Sequence, residues 1–295
     1  MRYSSYAGVL TIPLLLLLAA TAQQPPGPIE ATSLLGRKLF ALPEDGSIAA
    51  ARQKLAADPN NVTLVLALSR AQAARRQYRE AIATCTAGLR FARENADLLL
   101  ERGHRELGLR QFNEALADLN RAVQINKKNL DEFYHLGLAH YFLRQFPEAA
   151  TSFRSALALA QNNDSVIDCS NWLYVSLRRA DQRDAAAAAL ARVTPDIQNQ
   201  EPHLLFYLKL LRFYQGVLTE NQILPPKPAN PNDIEAELAF DTISYGLGNW
   251  HLYNNDTAHA RELFQSVVSG DAWNAWGFIG SELALATRET SMAAR

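Results

Sequence analysis

Cysteine is nearly absent from this chain: Cys85 and Cys169 are the only two in 295 residues. Two thiols cannot form a disulfide framework, so the fold must rest on a buried apolar core. Charge of either sign is not in excess. The 29 Lys and Arg stand against 30 Asp and Glu, a formal net charge of -1. Nucleic acid and anionic membrane, which need clustered basic residues, are therefore poor partners. Catalytic signatures are missing as well. There is no HExxH, no GxSxG, no phosphate-binding P-loop and no CxxC, so no enzyme, no cofactor and no metal is expected from motifs. Beyond the first 22 residues no apolar run approaches the roughly 20 residues of a membrane span.

What is present first is a leader. Arg2 precedes the apolar run VLTIPLLLLLAA (Val9 to Ala20), and Ala20-Thr21-Ala22 places small residues before QQPPGP. This pattern predicts a cleaved secretory signal over 1–22, with a retained anchor as the alternative. The run is short for a span, which favours cleavage. No cysteine near the cleavage point offers a lipid attachment site. The chain's 48% hydrophobic and 20% charged composition is ordinarily globular, and the exported chain should be soluble.

The strongest signal is a period. REAIATCTAGL, NEALADLNRAV and PEAATSFRSAL align so that Ala81, Ala115 and Ala149 recur every 34 residues. Tyr78, Phe112 and Phe146 precede them by three, and Ser69, Gly103 and Gly137 by twelve. Apolar residues recur at three and four within each unit, as on an amphipathic helix, so each unit reads as a helix hairpin, A then B. Small residues on both helices permit close backbone approach. A single hairpin cannot bury its apolar face, so neighbours must stack.

FYHLGLAHYFLRQFPEAATSFRSALALA resembles the tetratricopeptide repeat (TPR) consensus at Leu136-Gly137, Phe146, Ala149, Phe153 and Ala156. The resemblance implies an all-α solenoid, a right-handed superhelix of hairpins. By phase, 23–198 holds a degenerate first repeat at 28–61 and units at 62–95, 96–129, 130–163 and 166–198. The 166–198 unit is centred on Leu173 and Ala185. A helical insert with the Pro-rich loop PPKPANPND occupies 199–240, and 241–295 holds a last repeat, with Gly248 and Ala260, and a capping helix.

The scattered histidines do not suggest a metal. His135 and His140 are five apart, about 140° around a helix, and cannot share an ion from that helix alone. His140 and His251 fall at one repeat position that usually holds an interior residue. Cys85 and Cys169 lie more than two hairpins apart. Hairpins stack at about 10 Å, beyond the roughly 7 Å reach of a disulfide, so both thiols should be free and buried.

TPR helices A line a concave groove. Carried over by phase, the resemblance implies a partner-binding set of Arg70, His104, Tyr134, Leu138, Tyr141, Tyr174, Leu177, Tyr245, Asn249 and Tyr253. An aromatic, mostly uncharged groove suits a protein or peptide segment. The basic and amide set with which chaperone-type TPR domains grip a C-terminal carboxylate is missing, since the corresponding positions are Leu66/Arg70, Leu100/His104 and Tyr134/Leu138. The order of parts, with NWLYVSLRRADQRDAAAAAL, LRFYQGVLTENQIL and YGLGNWHLYNNDTAHARELFQSVV, is similar to the NlpI-like periplasmic TPR proteins of bacteria. That resemblance implies a non-catalytic adaptor of the cell envelope and leaves a homodimer open. A module for a peptide or cell-wall fragment is the alternative.

Overall fold

The computed structural model describes residues 27–230 and 233–287, so the leader read at 1–22 lies outside the described residues. A short antiparallel hairpin, β1 (Ile29–Thr32) and β2 (Lys38–Phe40), leads into α1 (Ser47–Ala57). Four helix pairs follow: α2 (Val62–Ala74) with α3 (Tyr78–Phe91), α4 (Ala96–Gly108) with α5 (Phe112–Ile125), α6 (Leu130–Phe142) with α7 (Phe146–Leu159), and α8 (Asn163–Arg179) with α9 (Arg183–Ala189). The insert supplies α10 (Leu204–Tyr214) and α11 (Glu220–Ile223). A fifth pair, α12 (Ile234–Tyr253) and α13 (Thr257–Val268), precedes the last helix, α14 (Trp276–Ala286). None of these helices is long and apolar enough to cross a membrane.

The repeat is written into both ends of the first four A helices. Asn61, Asn95, Asn129 and Asn162 cap the N-termini of α2, α4, α6 and α8, each side chain accepting a backbone N–H of the first turn. An Asn cap satisfies a donor that the helix itself cannot. At the C-termini, Arg76, Arg110, Arg144, Asp181 and Asn255 take the left-handed conformation. The next residue's N–H then reaches back five positions, as in Gln111→Glu106 and Gln145→His140, both at 2.9 Å. This is a Schellman stop, and it turns each chain into its B helix.

Packing follows from small residues. Ala81, Ala115, Ala149, Ala186 and Ala260, each five positions after a turn residue, are wholly buried on the B helices. Seven before the turn stand Ser69, Gly103, Gly137 and Gly248. A Cβ on Gly137 would lie 2.7 Å from the Phe153 ring, and one on Gly103 would lie 2.8 Å from Leu119.

Two sequence expectations need correction. Residues 28–61 do not hold a helix pair, because β1 and β2 stand where helix A was expected. The Ser33 hydroxyl accepts from Leu35 and Arg37 N–H groups, Gly36 is left-handed, and Pro43 with Gly46 bars a helix before α1. In the fourth unit the turn at Asp181 shifts the register by one residue. Ala186 is the buried alanine, with Ala185 only partly covered, and Tyr174 rather than Leu173 holds the small-residue position. No B-helix glycine accommodates it. Instead Tyr174 stacks on Tyr214 of α10, with centroids 4.3 Å apart.

The superhelix closes on itself. Arg110, at the turn between α4 and α5, pairs with Glu282 of α14 at 2.8 Å, and both side chains are almost fully buried. Glu282 also accepts the Leu34 N–H at 3.0 Å, and Arg110 donates to the Trp273 carbonyl at 3.0 Å. Trp273 in turn donates its indole N–H to the Phe40 carbonyl at 2.9 Å and packs edge-on against Tyr78. Arg37 pairs with Asp271, and Arg76 donates to the Asp271 carbonyl at 2.9 Å. The N-terminal hairpin, the first two turns and the C-terminal unit thus form one junction.

Two outcomes are expected. Gly137→Ala forces Phe153 aside and should lower unfolding free energy by about 1–3 kcal/mol in chemical denaturation; a change within the scatter of surface substitutions would refute the close-packing account. Glu282→Gln strands a buried guanidinium and should cost about 3–5 kcal/mol. Arg110→Met combined with Glu282→Leu should recover most of that loss.

Candidate functional site

The groove read from the sequence is filled by the chain's own C-terminal half. Tyr134, Leu138, Tyr141, Tyr174, Leu177, Tyr245 and Asn249 are all buried. Tyr245 donates its hydroxyl to Tyr141 at 3.0 Å, and Tyr141 donates to the Asn249 side chain at 3.2 Å. The groove residues of the last repeat therefore meet those of the middle repeat, instead of facing a partner. Trp276 of α14 lies against His104 and Phe142, with centroids 5.1 and 5.9 Å away. The physical reason is area. Each buried aromatic removes some 150–250 Å² from water, and a face this rich in Tyr is unfavourable to leave open. Covering it from within the chain is a correction to the open-groove expectation for these residues.

Three members of the set remain accessible in part. Arg70 is mostly exposed and pairs with Glu101 at 3.5 Å. His104 is partly buried between His135 and Trp276, and burial with the nearby Arg105 charge holds its imidazole well below the usual histidine range. Tyr253 lies under Arg178, whose guanidinium carbon is 4.1 Å from the ring centroid.

Tyr253 belongs to an open cleft of about 470 Å³ between the turns of the third, fourth and fifth helix pairs. Its walls carry Arg144, Arg178, Arg179 and Arg183 against a single carboxylate, Asp181. Two guanidinium groups are held over aromatic faces, Arg178 on Tyr253 and Arg179 on Phe146 at 4.4 Å. Arg178 is fixed further by bonds to the Tyr174 hydroxyl at 3.1 Å and Asn254 at 3.2 Å, and Arg179 by Asn249 at 3.0 Å. Such pre-set planar forks suit carboxylates.

Arg178 and Arg179 escaped the sequence reading because of the one-residue register shift. With the turn at Asp181, the groove-facing positions of α8 include Arg178 and Arg179, not Leu177. A second cleft, about 290 Å³, is lined by His104, His203, Phe206, Tyr207 and Trp276 among others. A third grouping joins Glu220, His251 and His259 across α11, α12 and α13, with one ligand-type atom of each within 4.8 Å of the others. The sequence signal for it was the pair of histidines flanking the α12–α13 turn. His135 and His140 point elsewhere: one bonds the Asp131 carbonyl and the other Gln145, each at 2.7 Å.

Cys85 and Cys169 are free and buried. Burial pushes the Cys85 thiol up to about 11, which makes it a poor nucleophile at neutral pH. Asp168 is less ordinary. Burial raises its carboxyl to about 7, against the opposing bond from the Tyr134 hydroxyl at 2.9 Å. Because the folded value is raised, the native state holds an extra proton between about pH 4 and 7, and stability falls as pH rises through that window. Asp168→Asn should flatten this slope, removing a difference on the order of 4 kcal/mol between pH 4 and pH 8, about three pH units at about 1.4 kcal/mol each. Parallel pH–stability curves for the two proteins would contradict the assignment.

No protein-family model matches the chain, and no curated protein does. Solved structures do resemble it. A TPR protein from Parabacteroides merdae is 20% identical, covering 81% of this chain and 90% of its own with a TM-score of 0.47. YrrB, described as a TPR protein with an unusual peptide-binding site, is 16% identical over 74% of this chain and 99% of its own, with a TM-score of 0.46. MamA is 22% identical over 49% of this chain and 83% of its own, with a TM-score of 0.44. Likeness at this level reaches the fold at most. On its own helix pairs, the first four turned at steps of 34, 34 and 37 residues, this chain folds as an all-α solenoid of helix hairpins, the architecture that the tetratricopeptide-repeat resemblance implies.

Proposed function

We propose that this chain is an exported, non-catalytic TPR scaffold that grips an acidic segment of a partner protein in the arginine cleft. The observation that carries this reading is the clustering of four guanidinium groups and one carboxylate in an open cleft, on a chain whose overall charge is close to zero. The conventional groove is occupied, so the cleft is where partner contact is best supported. Aromatic rings beneath two of the arginines hold them in place, which lowers the entropy lost on binding. Export rests on the leader pattern at 1–22, and a bacterial envelope adaptor role rests on the NlpI-like phrases quoted above.

The cleft lined by Trp276, Tyr207 and Phe206 favours a second reading, a module for an uncharged peptide or cell-wall fragment stacked on aromatic side chains.

The two readings separate in solution. A fluorescent Asp/Glu-rich peptide should bind in low salt and weaken steeply as ionic strength rises. Arg178→Gln with Arg183→Glu should reduce its affinity at least tenfold while the far-UV spectrum stays unchanged. Crosslinking in the native envelope should then lose its partner in the same variant. Undiminished peptide affinity and partner recovery in that variant would sink the arginine-cleft reading. Retention of a muropeptide or a neutral peptide, abolished by Trp276→Ala, would support the second.

A further inference from the structure

We infer that Glu220, His251 and His259 form a binding site for a divalent transition-metal ion, zinc in chemical class, that ties the insert to the last repeat. The three residues come from three elements: α11, the end of α12 and the first turn of α13. His251 Nε2 lies 2.9 Å from one Glu220 oxygen and His259 Nε2 lies 3.6 Å from the other. Ligands about 2.0–2.2 Å from one zinc ion sit about 3.3 Å apart at the tetrahedral angle, so the two distances straddle what an ion between them requires. The imidazoles are stacked with centroids 4.0 Å apart, and both turn Nε2 toward the same carboxylate.

The far side of the rings is what distinguishes this group from a chance ion pair. Asp256 Oδ2 lies 3.1 Å from His251 Nδ1 and 3.9 Å from His259 Nδ1. A carboxylate on Nδ1 sets the tautomer that leaves Nε2 with its lone pair free for a metal. Asp256 is itself fixed, because its other oxygen accepts the His259 N–H as the N-cap of α13. Glu220 is placed by the capping box of Thr219 and Gln222 that starts α11. His251 is nearly buried, while His259 and Asp256 are more open. Two histidines and one carboxylate on one side leave a coordination position for water or a ligand group. Imidazole donors favour zinc, nickel or copper over magnesium or calcium.

The site would lock the four-residue α11 onto the α12–α13 turn, next to the Tyr253 and Asn255 wall of the arginine cleft. It does not depend on the cleft reading, because its test involves no partner. Tag-free full chain, stripped with chelator and dialysed, is titrated with zinc against a chromophoric competitor and, separately, with cobalt under visible absorption. One equivalent of zinc should bind, cobalt should give the d–d bands of a nitrogen/oxygen site, and zinc should raise the melting temperature. His259→Ala and Glu220→Gln should each weaken binding at least tenfold, and Asp256→Asn by about 10–100-fold. His203→Ala should bind as the parent does. Absence of stoichiometric zinc, or parental affinity in both His259→Ala and Glu220→Gln, would show a hydrogen-bonded ion-pair cluster only and overturn the proposal. Should His259→Ala fail to fold, Glu220→Gln and the cobalt spectrum decide.

Discussion

The buried pair of Arg110 and Glu282 joins residues 172 positions apart, and the shape of the whole solenoid depends on that junction. A stack of helix hairpins has no intrinsic reason to close, since each unit contacts only its neighbours. Here the turn residue of one early repeat reaches the last helix, and the N-terminal hairpin adds its own bonds from Leu34 and Phe40. Two charges withdrawn from water are tolerable only when their remaining hydrogen-bonding capacity is met. The Leu34 N–H and the Trp273 carbonyl meet much of it. The same contacts that neutralise the pair therefore bring both ends of the chain together.

Closure decides where function can reside. With Tyr141, Tyr245 and Asn249 bonded to one another, the aromatic face becomes core rather than binding surface. The surface that stays open lies at the edge, where the turns between A and B helices gather. Those turns are built from left-handed residues followed by helix N-caps, and in this chain they carry arginine at three of five positions. Of these, Arg144 lines the cleft with Arg178, Arg179 and Arg183, while Arg110 and Arg76 are drawn into the end-to-end junction. The α12–α13 turn adds His251, Asp256 and His259 to this edge, so both the cleft and the metal-type cluster are products of the turn geometry.

Much of this was legible in the sequence. The period of 34, the alanines at 81, 115 and 149 and the glycines at 103 and 137 reflect steric needs that repeat with the hairpin, so each unit restates them. What did not repeat was not legible. The β1–β2 hairpin occupies a phase where a helix was expected, and only Gly36, Pro43 and Gly46 hinted otherwise. The fourth unit carries Tyr174 at a small-residue position because α10 replaces a normal neighbour, and the resulting slip hid Arg178 and Arg179. Closure itself is a contact between residues more than a hundred positions apart, for which helical periodicity holds no signal. A Tyr that faces an open groove and one that faces another helix of the same chain have the same local pattern.

Small-angle X-ray scattering of the chain without residues 1–22 tests closure most directly. A ring filled by its own C-terminal unit should scatter as a compact body, with a radius of gyration near the roughly 18 Å expected for a globular chain of this size. An open superhelix, with an elongated distance distribution and a radius of gyration roughly a third or more above that compact-chain value, would contradict the account.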